Sequence, residues 1–301
     1  MNDENGEHLD AALLEQLRAS LQSQPDKPEE TPESTLRALH FAAAGVPLSV
    51  RGALKTPLPA LDSPAKVKLA ALVKRRVAGI PLAHLTKRQQ FMGIEMLAGP
   101  EALIPRAETE LLGYETLAAI RSLAPQRGPL TIVDVCTGSG NVVLGAMVHE
   151  PAHKGYGSDI SHEAIELARK NAEHLGLDER VEFRHGDLLG PFRSEELLGK
   201  VDVMSCNPPY ISSKKVKALH QEISGHEPIA AFDGGPFGVT IIARLIREAI
   251  DFLKSDSFLC LEVGEGQGPF VESLFHKSKM YRHVRPFTDD ARRVRGFTAR
   301  T

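Results

Sequence analysis

Residues 205–213 read SCNPPYISS, and four of them could perform one reaction together. The nitrogen of an amide or a nucleobase amine is a poor nucleophile, because its lone pair is delocalised. Asn207 can accept one N–H of such a group through its side-chain oxygen, and the carbonyl of Pro208 can accept the other. Pro208 and Pro209 have no backbone N–H, so they end the apolar run Lys200–Met204 before them and stiffen the carbonyl's direction. Tyr210 adds a flat face for a planar group to lie on. Asn207, Pro208, Pro209 and Tyr210 therefore read as a catalytic clamp for an sp² amino group. No strong base is present, so rate would come from positioning the nitrogen in line with an activated methyl.

A second set of residues suits the donor of that methyl. IVDVCTGSGN, residues 132–141, is a strand followed by a Gly-rich turn. Gly138 and Gly140 let backbone approach a ligand, and a helix opening behind them points free N–H groups at an anion. Val143 stands where a dinucleotide fingerprint needs its third glycine. Asp159, 19 residues beyond Gly140, ends the next strand, where an acid can hold both hydroxyls of a ribose. An N-cap role would also suit Asp159, although Ser161 can serve as that cap. Asp187 ends the third strand and could accept from an exocyclic amine, or simply close a turn. Three successive strand ends of this kind fit a nucleoside with a charged tail. The candidate donor cleft comprises Asp134, Thr137, Gly138, Ser139, Gly140, Asp159, Ile160, Asp187, Leu188 and Asn207.

These ends need a scaffold. Strand-like runs at Thr131–Cys136, Lys154–Ile160, Val181–Asp187, Val201–Asn207 and Phe258–Gly264 alternate with helical runs such as Ser161–Leu175 and Val239–Leu253. Apolar strands alternating with helices predict a parallel sheet covered on both faces. Tyr281–Phe287 and Val294–Ala299 predict an antiparallel hairpin that closes the sheet, giving seven strands in a doubly wound α/β fold. Before it, helical spacing at Leu9–Leu21, Leu36–Ala44 and Val67–Val77 predicts a small helical domain over residues 1–88, with Ser63-Pro64 opening its last helix. Residues 89–112 read as a linker and 113–301 as the catalytic domain.

Composition narrows the classes. In 301 residues the formal net charge is −3, so no global field draws the chain to nucleic acid or an anionic membrane. Seven bases and no acid fall within residues 63–88, a run that could face RNA or a partner but reads first as a solvated helix face. The polar start MNDENGEHLD predicts no signal peptide, and no apolar run is long enough for a membrane span. Cys136, Cys206 and Cys260 are few and lack zinc spacing, so free thiols in a cytoplasmic protein are expected, with no metal.

N-P-P-Y, D-V-C-T-G-S-G and Asp159 together resemble class I S-adenosylmethionine-dependent amino-methyltransferases, with their Rossmann-like sheet. FMGIEMLAGPEALIPRAETELL (91–112) and EISGHEPIAAFDGGPFGV (222–239) are similar to segments of the HemK/PrmC group of protein glutamine N5-methyltransferases. The resemblance covers about residues 75–300. It implies S-adenosylmethionine as cofactor and the glutamine of the Gly-Gly-Gln loop of peptide chain release factors as acceptor. It also implies substrate contacts by Phe91, Arg106, Glu108, Thr109, Glu227 and Pro228. The sequence departs from the group's pattern at Ala107, at Cys136, where the group's turn has glycine, and over 86–91. Alternative acceptors are a small-molecule amide or amine of a biosynthetic pathway, a ribosomal-protein glutamine (the sister PrmB branch) and a flipped DNA base. No stable nucleic-acid partner and no membrane are expected.

Overall fold

A computed structural model describes residues 9–22, 27–193, 197–216 and 227–301. Of the segment 222–239, residues 222–226 lie outside the described residues. Five helices come first: α1 (Ala11–Ser20), α2 (Pro32–Ala43), α3 (Val50–Leu54), α4 (Ser63–Val77) and α5 (Leu82–Thr86). Asp10, Thr31, Ser49 and Asp62 cap the first four, each accepting a backbone N–H of the opening turn. Asp62, not Ser63, is thus the cap of α4, because its carboxylate reaches Ala65 N at 2.8 Å. Leu17, Leu36, Leu39, Phe41, Leu69 and Val73 form the shared core of these helices. Lys66, Lys68, Lys74 and Arg75 are exposed, as a solvated face requires, whereas Arg76 is buried and paired with Glu30.

The expected linker is not all loop. Its first part forms an antiparallel hairpin, β1 (Arg88–Phe91) and β2 (Ile94–Leu97). Met92 and Gly93 both have positive φ, the geometry of a tight two-residue hairpin turn. Four-residue strands carry too little alternation to be seen in sequence. The chain divides into two compact units. The first holds the described residues of Met1–Pro100, Ile104–Arg106 and His220–Glu227; the second holds those of Glu101–Leu103, Ala107–Leu219 and Pro228–Thr301.

The second unit begins with α6 (Thr109–Arg127) and then alternates: β3 (Thr131–Val135), α7 (Asn141–His149), β4 (Lys154–Asp159), α8 (His162–His174), β5 (Val181–His185) and β6 (Val201–Cys206). There follow α9 (Ser213–Val216), α10 (Thr240–Glu248), β7 (Leu253–Glu262), α11 (Gly268–Ser278), β8 (Arg282–Thr288) and β9 (Val294–Arg300). The seven strands stand in the order β5-β4-β3-β6-β7-β9-β8. The first five are parallel, and β9 is antiparallel to both β7 and β8. The expected seven-stranded sheet with a terminal hairpin is therefore present, with β9 inserted inside the edge strand.

The chain leaves β3 toward β4 on one side and returns to β6 on the other, so the topological switch lies at the carboxyl ends of β3 and β6. β7 starts at Leu253, five positions before the expected Phe258, and α10 stops at Glu248. Lys254, Ser255 and Asp256 masked that start by their polarity, and Asp256 has a positive φ. Met204, Leu245, Phe252, Leu259, Phe275 and Phe297 are buried in one core on this unit. Among the described residues no helix is long and apolar enough to cross a membrane.

Candidate active site

Parallel pairing brings the predicted strand ends to one edge of the sheet. Val135 pairs with Ser158 on β4 and with Cys206 on β6, and Asp159 pairs with His185 on β5. The turn after β3 is shaped by Gly138 and Gly140, whose φ values of 55° and 82° a side chain would strain. Gly140 is the N-cap of α7. Cys136 also has a positive φ, so this departure from glycine is accommodated in a conformation glycine favours.

Asp134 is only 1% exposed. Its two oxygens accept from Thr137 Oγ1 at 2.6 Å and Ser205 Oγ at 2.7 Å. It thus ties the turn to β6 rather than facing outward, and burial raises its pKa to about 7 against the two hydroxyls. Thr137 is buried as well, and its N–H donates to Ser158 O. Ser139 is buried, and its hydroxyl has no partner among the described residues.

Asp159 accepts from Gly138 N and from Ser161 N, each at 2.9 Å. Burial raises its pKa, opposed by these backbone N–H groups. The N-cap of α8 is Ser161, whose Oγ accepts from Ala164 N, so Asp159 is not spent on capping. Each of its oxygens keeps a lone pair for a further donor. Ile160 beside it is 64% exposed, an unusual cost for an isoleucine at the end of a strand. Leu188 is buried with φ 47°. Asp187 is exposed and pairs with Arg244 of α10 at 2.6 Å. A ligand amine at Asp187 would have to share that carboxylate with the guanidinium, a complication that sequence alone does not reveal.

After β6 the chain turns through Asn207, buried Pro208, Pro209 and Tyr210. Asn207 Nδ2 donates to Thr109 Oγ1, at the start of α6, at 3.1 Å. Tyr210 Oη donates to Glu262 Oε1, at the end of β7, at 3.3 Å. Burial raises the Tyr210 pKa, and the nearby Glu262 carboxylate adds to the rise. Two glycines fix the backbone behind the turn. A Cβ on Gly234 would meet Pro209 O, and one on Gly238 would meet Tyr210 O. Gln267 Nε2 closes the same wall by donating to Tyr210 O at 2.8 Å and to Gly238 O at 3.1 Å. Asp233 Oδ1 accepts from Ser213 Oγ and Gly235 N, which holds the glycine segment in shape.

Glu262 and Gln267 were missed by sequence reasoning. The only signal was their position, in LEVGEGQG at the end of a fifth strand. Glu262 is 3% exposed and its pKa is raised to about 7, first by burial.

The residues expected to contact substrate divide between the units. Thr109, Glu108 and Pro228 belong to the second. Phe91, Arg106 and Glu227 belong to the first. Phe91 is fully buried, so its ring is core and not contact surface. Glu227 is also buried. It accepts from Ile104 N at 2.9 Å and pairs with Arg106 at 2.5 Å. Two of the expected contacts therefore hold each other, tying the chain before α6 to the residue before Pro228.

The profile of the family described as methyltransferase domain matches residues 128–288, the span from the end of α6 to β8. A release factor glutamine methyltransferase from Moorella thermoacetica is 37% identical over 227 residues, covering 75% of this chain and 77% of that protein. One of the same name from Caulobacter vibrioides is 33% identical and covers 82% of each chain. Another from Bradyrhizobium diazoefficiens is 31% identical over 268 residues, 89% of this chain and 88% of that one. Similarity at this level extends through nearly the whole length, including the helices that precede the sheet, and so the chain belongs to the release factor glutamine methyltransferase family.

Proposed function

We propose that the chain transfers a methyl group from S-adenosylmethionine to the side-chain nitrogen of a glutamine, the one in the Gly-Gly-Gln loop of a peptide chain release factor. The observation that carries the acceptor class is the orientation of Asn207. Its Nδ2 is turned inward to Thr109, which leaves Oδ1 to accept from an acceptor amine. The relatives' names supply the release factor as acceptor.

The turn after β3 fits the donor. Gly138 has open space where a Cβ would stand, Ser139 Oγ is an unsatisfied buried hydroxyl, and Asp159 keeps lone pairs beside exposed Ile160. Gly138, Ser139 and Gly140 would hold the charged tail, Asp159 the ribose hydroxyls and Ile160 the base. Asp134 and Thr137 act on the turn itself. When bound, S-adenosylmethionine would supply an electrophilic methyl on a sulfonium, with S-adenosylhomocysteine as the leaving group and one N–H proton of the methylated nitrogen given up to solvent.

Asn207 Oδ1 and Pro208 O then accept the two N–H groups of the glutamine amide, and Tyr210 lies against its plane. These contacts hold the lone pair toward the methyl and strengthen as positive charge develops on nitrogen. Gly234, Gly238 and Gln267 pack against the Pro209 and Tyr210 backbone and keep it from shifting. The test is incubation of the protein with S-adenosylmethionine and a release factor, followed by peptide mass mapping. One added methyl on the Gly-Gly-Gln glutamine supports the reading. Methyl found only on a small amide or on duplex DNA overturns it.

A further inference from the structure

Ile160 is assigned the base of the methyl donor, yet it stands 64% exposed, so little packing holds it in place. A side chain that must meet a ligand from such a position has to be aimed by the backbone that carries it. The β4–β5 register ends at Asp159 and His185, and Ile160 lies one residue past it. Its carbonyl therefore needs a partner that the strand ladder does not supply.

His185 is that partner. Its Nε2 lies 3.0 Å from Ile160 O. A carbonyl oxygen only accepts, so Nε2 carries the hydrogen and donates it. The neighbouring N–H, that of Ser161, donates to Asp159 Oδ1 at 2.9 Å. Ile160 O and Ser161 N belong to one planar peptide unit. One side chain from β5 and one from β4 thus hold that unit by both of its polar ends. Gly186 N also donates to Asp159 O at 2.8 Å, so the end of β5 takes two consecutive carbonyls beside the donor cleft. The His185 ring is itself braced edge-on by His162, the first residue of α8, with 5.8 Å between ring centroids.

We propose that His185 is a positioning residue for the methyl donor, holding the peptide between Ile160 and Ser161 so that Ile160 meets the base. The proposal rests on the donor cleft assigned to the ends of β3 and β4. His185 has no part in the chemical step, so its effect falls on donor affinity. β5 then bears on the donor through His185 as well as through Asp187, which Arg244 already engages.

The experiment is calorimetric titration of the full chain and its variants with S-adenosylhomocysteine and with S-adenosylmethionine, each variant with a melting curve. His185→Phe keeps a ring beside His162 and removes the hydrogen-bond donor. It should weaken binding of both ligands by roughly 3- to 10-fold, the scale of one hydrogen bond. With a protein acceptor, it should raise KM for S-adenosylmethionine and not lower kcat at saturation. His185→Gln restores an N–H near the position of Nε2 and should recover most of the affinity. Ile160→Ala should also bind more weakly, and Ile160→Ala/His185→Phe should be no weaker than Ile160→Ala alone, because His185 acts through Ile160. Wild-type affinity in folded His185→Phe, or losses that simply add in the double variant, overturns the inference. So does wild-type affinity in His185→Phe with a loss in His185→Gln, since the ring would then meet the base itself. A loss in Asp159→Ala beside wild-type affinity in His185→Phe removes this inference alone. Wild-type affinity in Asp159→Ala removes the donor cleft, and the role of His185 with it.

Discussion

At the scale of single residues, the proposal assigns Asn207, Asp159 and Asp134 three separable roles. Asn207→Ala should lower turnover by roughly 10²–10³, as for loss of one preorganised polar partner, with little change in S-adenosylmethionine affinity. Steady-state kinetics beside calorimetry distinguishes this from a turn that has merely lost a cap, where turnover per folded molecule would stay at wild type. Asp159→Ala should weaken donor binding by roughly 1.5–3 kcal/mol, the range for hydrogen bonds to a charged group, which calorimetry reads directly. Asp134 makes a prediction about stability. Its pKa is raised to about 7 in the folded chain from 3.8. Between those values the folded state keeps a proton that the unfolded state has released. Its stabilising contribution is thus present at low pH and is lost as pH rises toward 7, by roughly 1.4 kcal/mol per unit. Asp134→Asn should flatten the dependence of melting temperature on pH between about 4.5 and 7. A parallel curve of unchanged slope would contradict the assignment.

The elements were legible wherever apolar runs were long. β3, β4, β5 and β6 stand within a residue or two of their expected bounds; β3 and β6 are buried on both faces and read as nearly continuous apolar runs, whereas the edge strand β5 alternates buried Val181 and Phe183 with exposed Glu182. Asn207 and Asp159 could be found in sequence because each directly follows or ends a strand whose bounds were legible. The β1–β2 hairpin and the first turn of β7 were hidden by short length and by Lys254 and Asp256. Glu262 was hidden by its ordinary identity. A glutamate at a strand end reads as solvated, and only the fold reveals that it is buried and accepts from Tyr210 Oη. The contact of Arg106 with Glu227, 121 positions apart, has no local signature at all.

The segment 233–238 is the element-scale counterpart of the clamp. Gly238 has φ 71°, and any Cβ there would strike Tyr210 O. Gly238→Ala should destabilise the second unit by roughly 1–3 kcal/mol through strain and lower turnover by displacing the Pro209–Tyr210 backbone. Donor affinity should hold, because the turn after β3 is untouched. A variant with weakened donor binding and full turnover at saturation would contradict that division of labour.

For the whole molecule, one sheet edge is expected to gather a donor site on β3 and β4 and an acceptor clamp on β6, with Glu262 on β7 supporting the clamp. The parallel order makes these neighbours without any one of them knowing the others in sequence. Membership of the family accounts for a glutamine acceptor, and the inward turn of the Asn207 amide accounts for how a poor nucleophile would be presented. The most direct test is peptide mass mapping of a release factor after incubation with S-adenosylmethionine and either the wild-type protein or Asn207→Ala. Wild type should place one methyl on the Gly-Gly-Gln glutamine, and Asn207→Ala, folded and still binding S-adenosylmethionine, should leave that glutamine almost unmodified. An unmodified glutamine with the wild-type protein, or equal modification by both, would contradict the account.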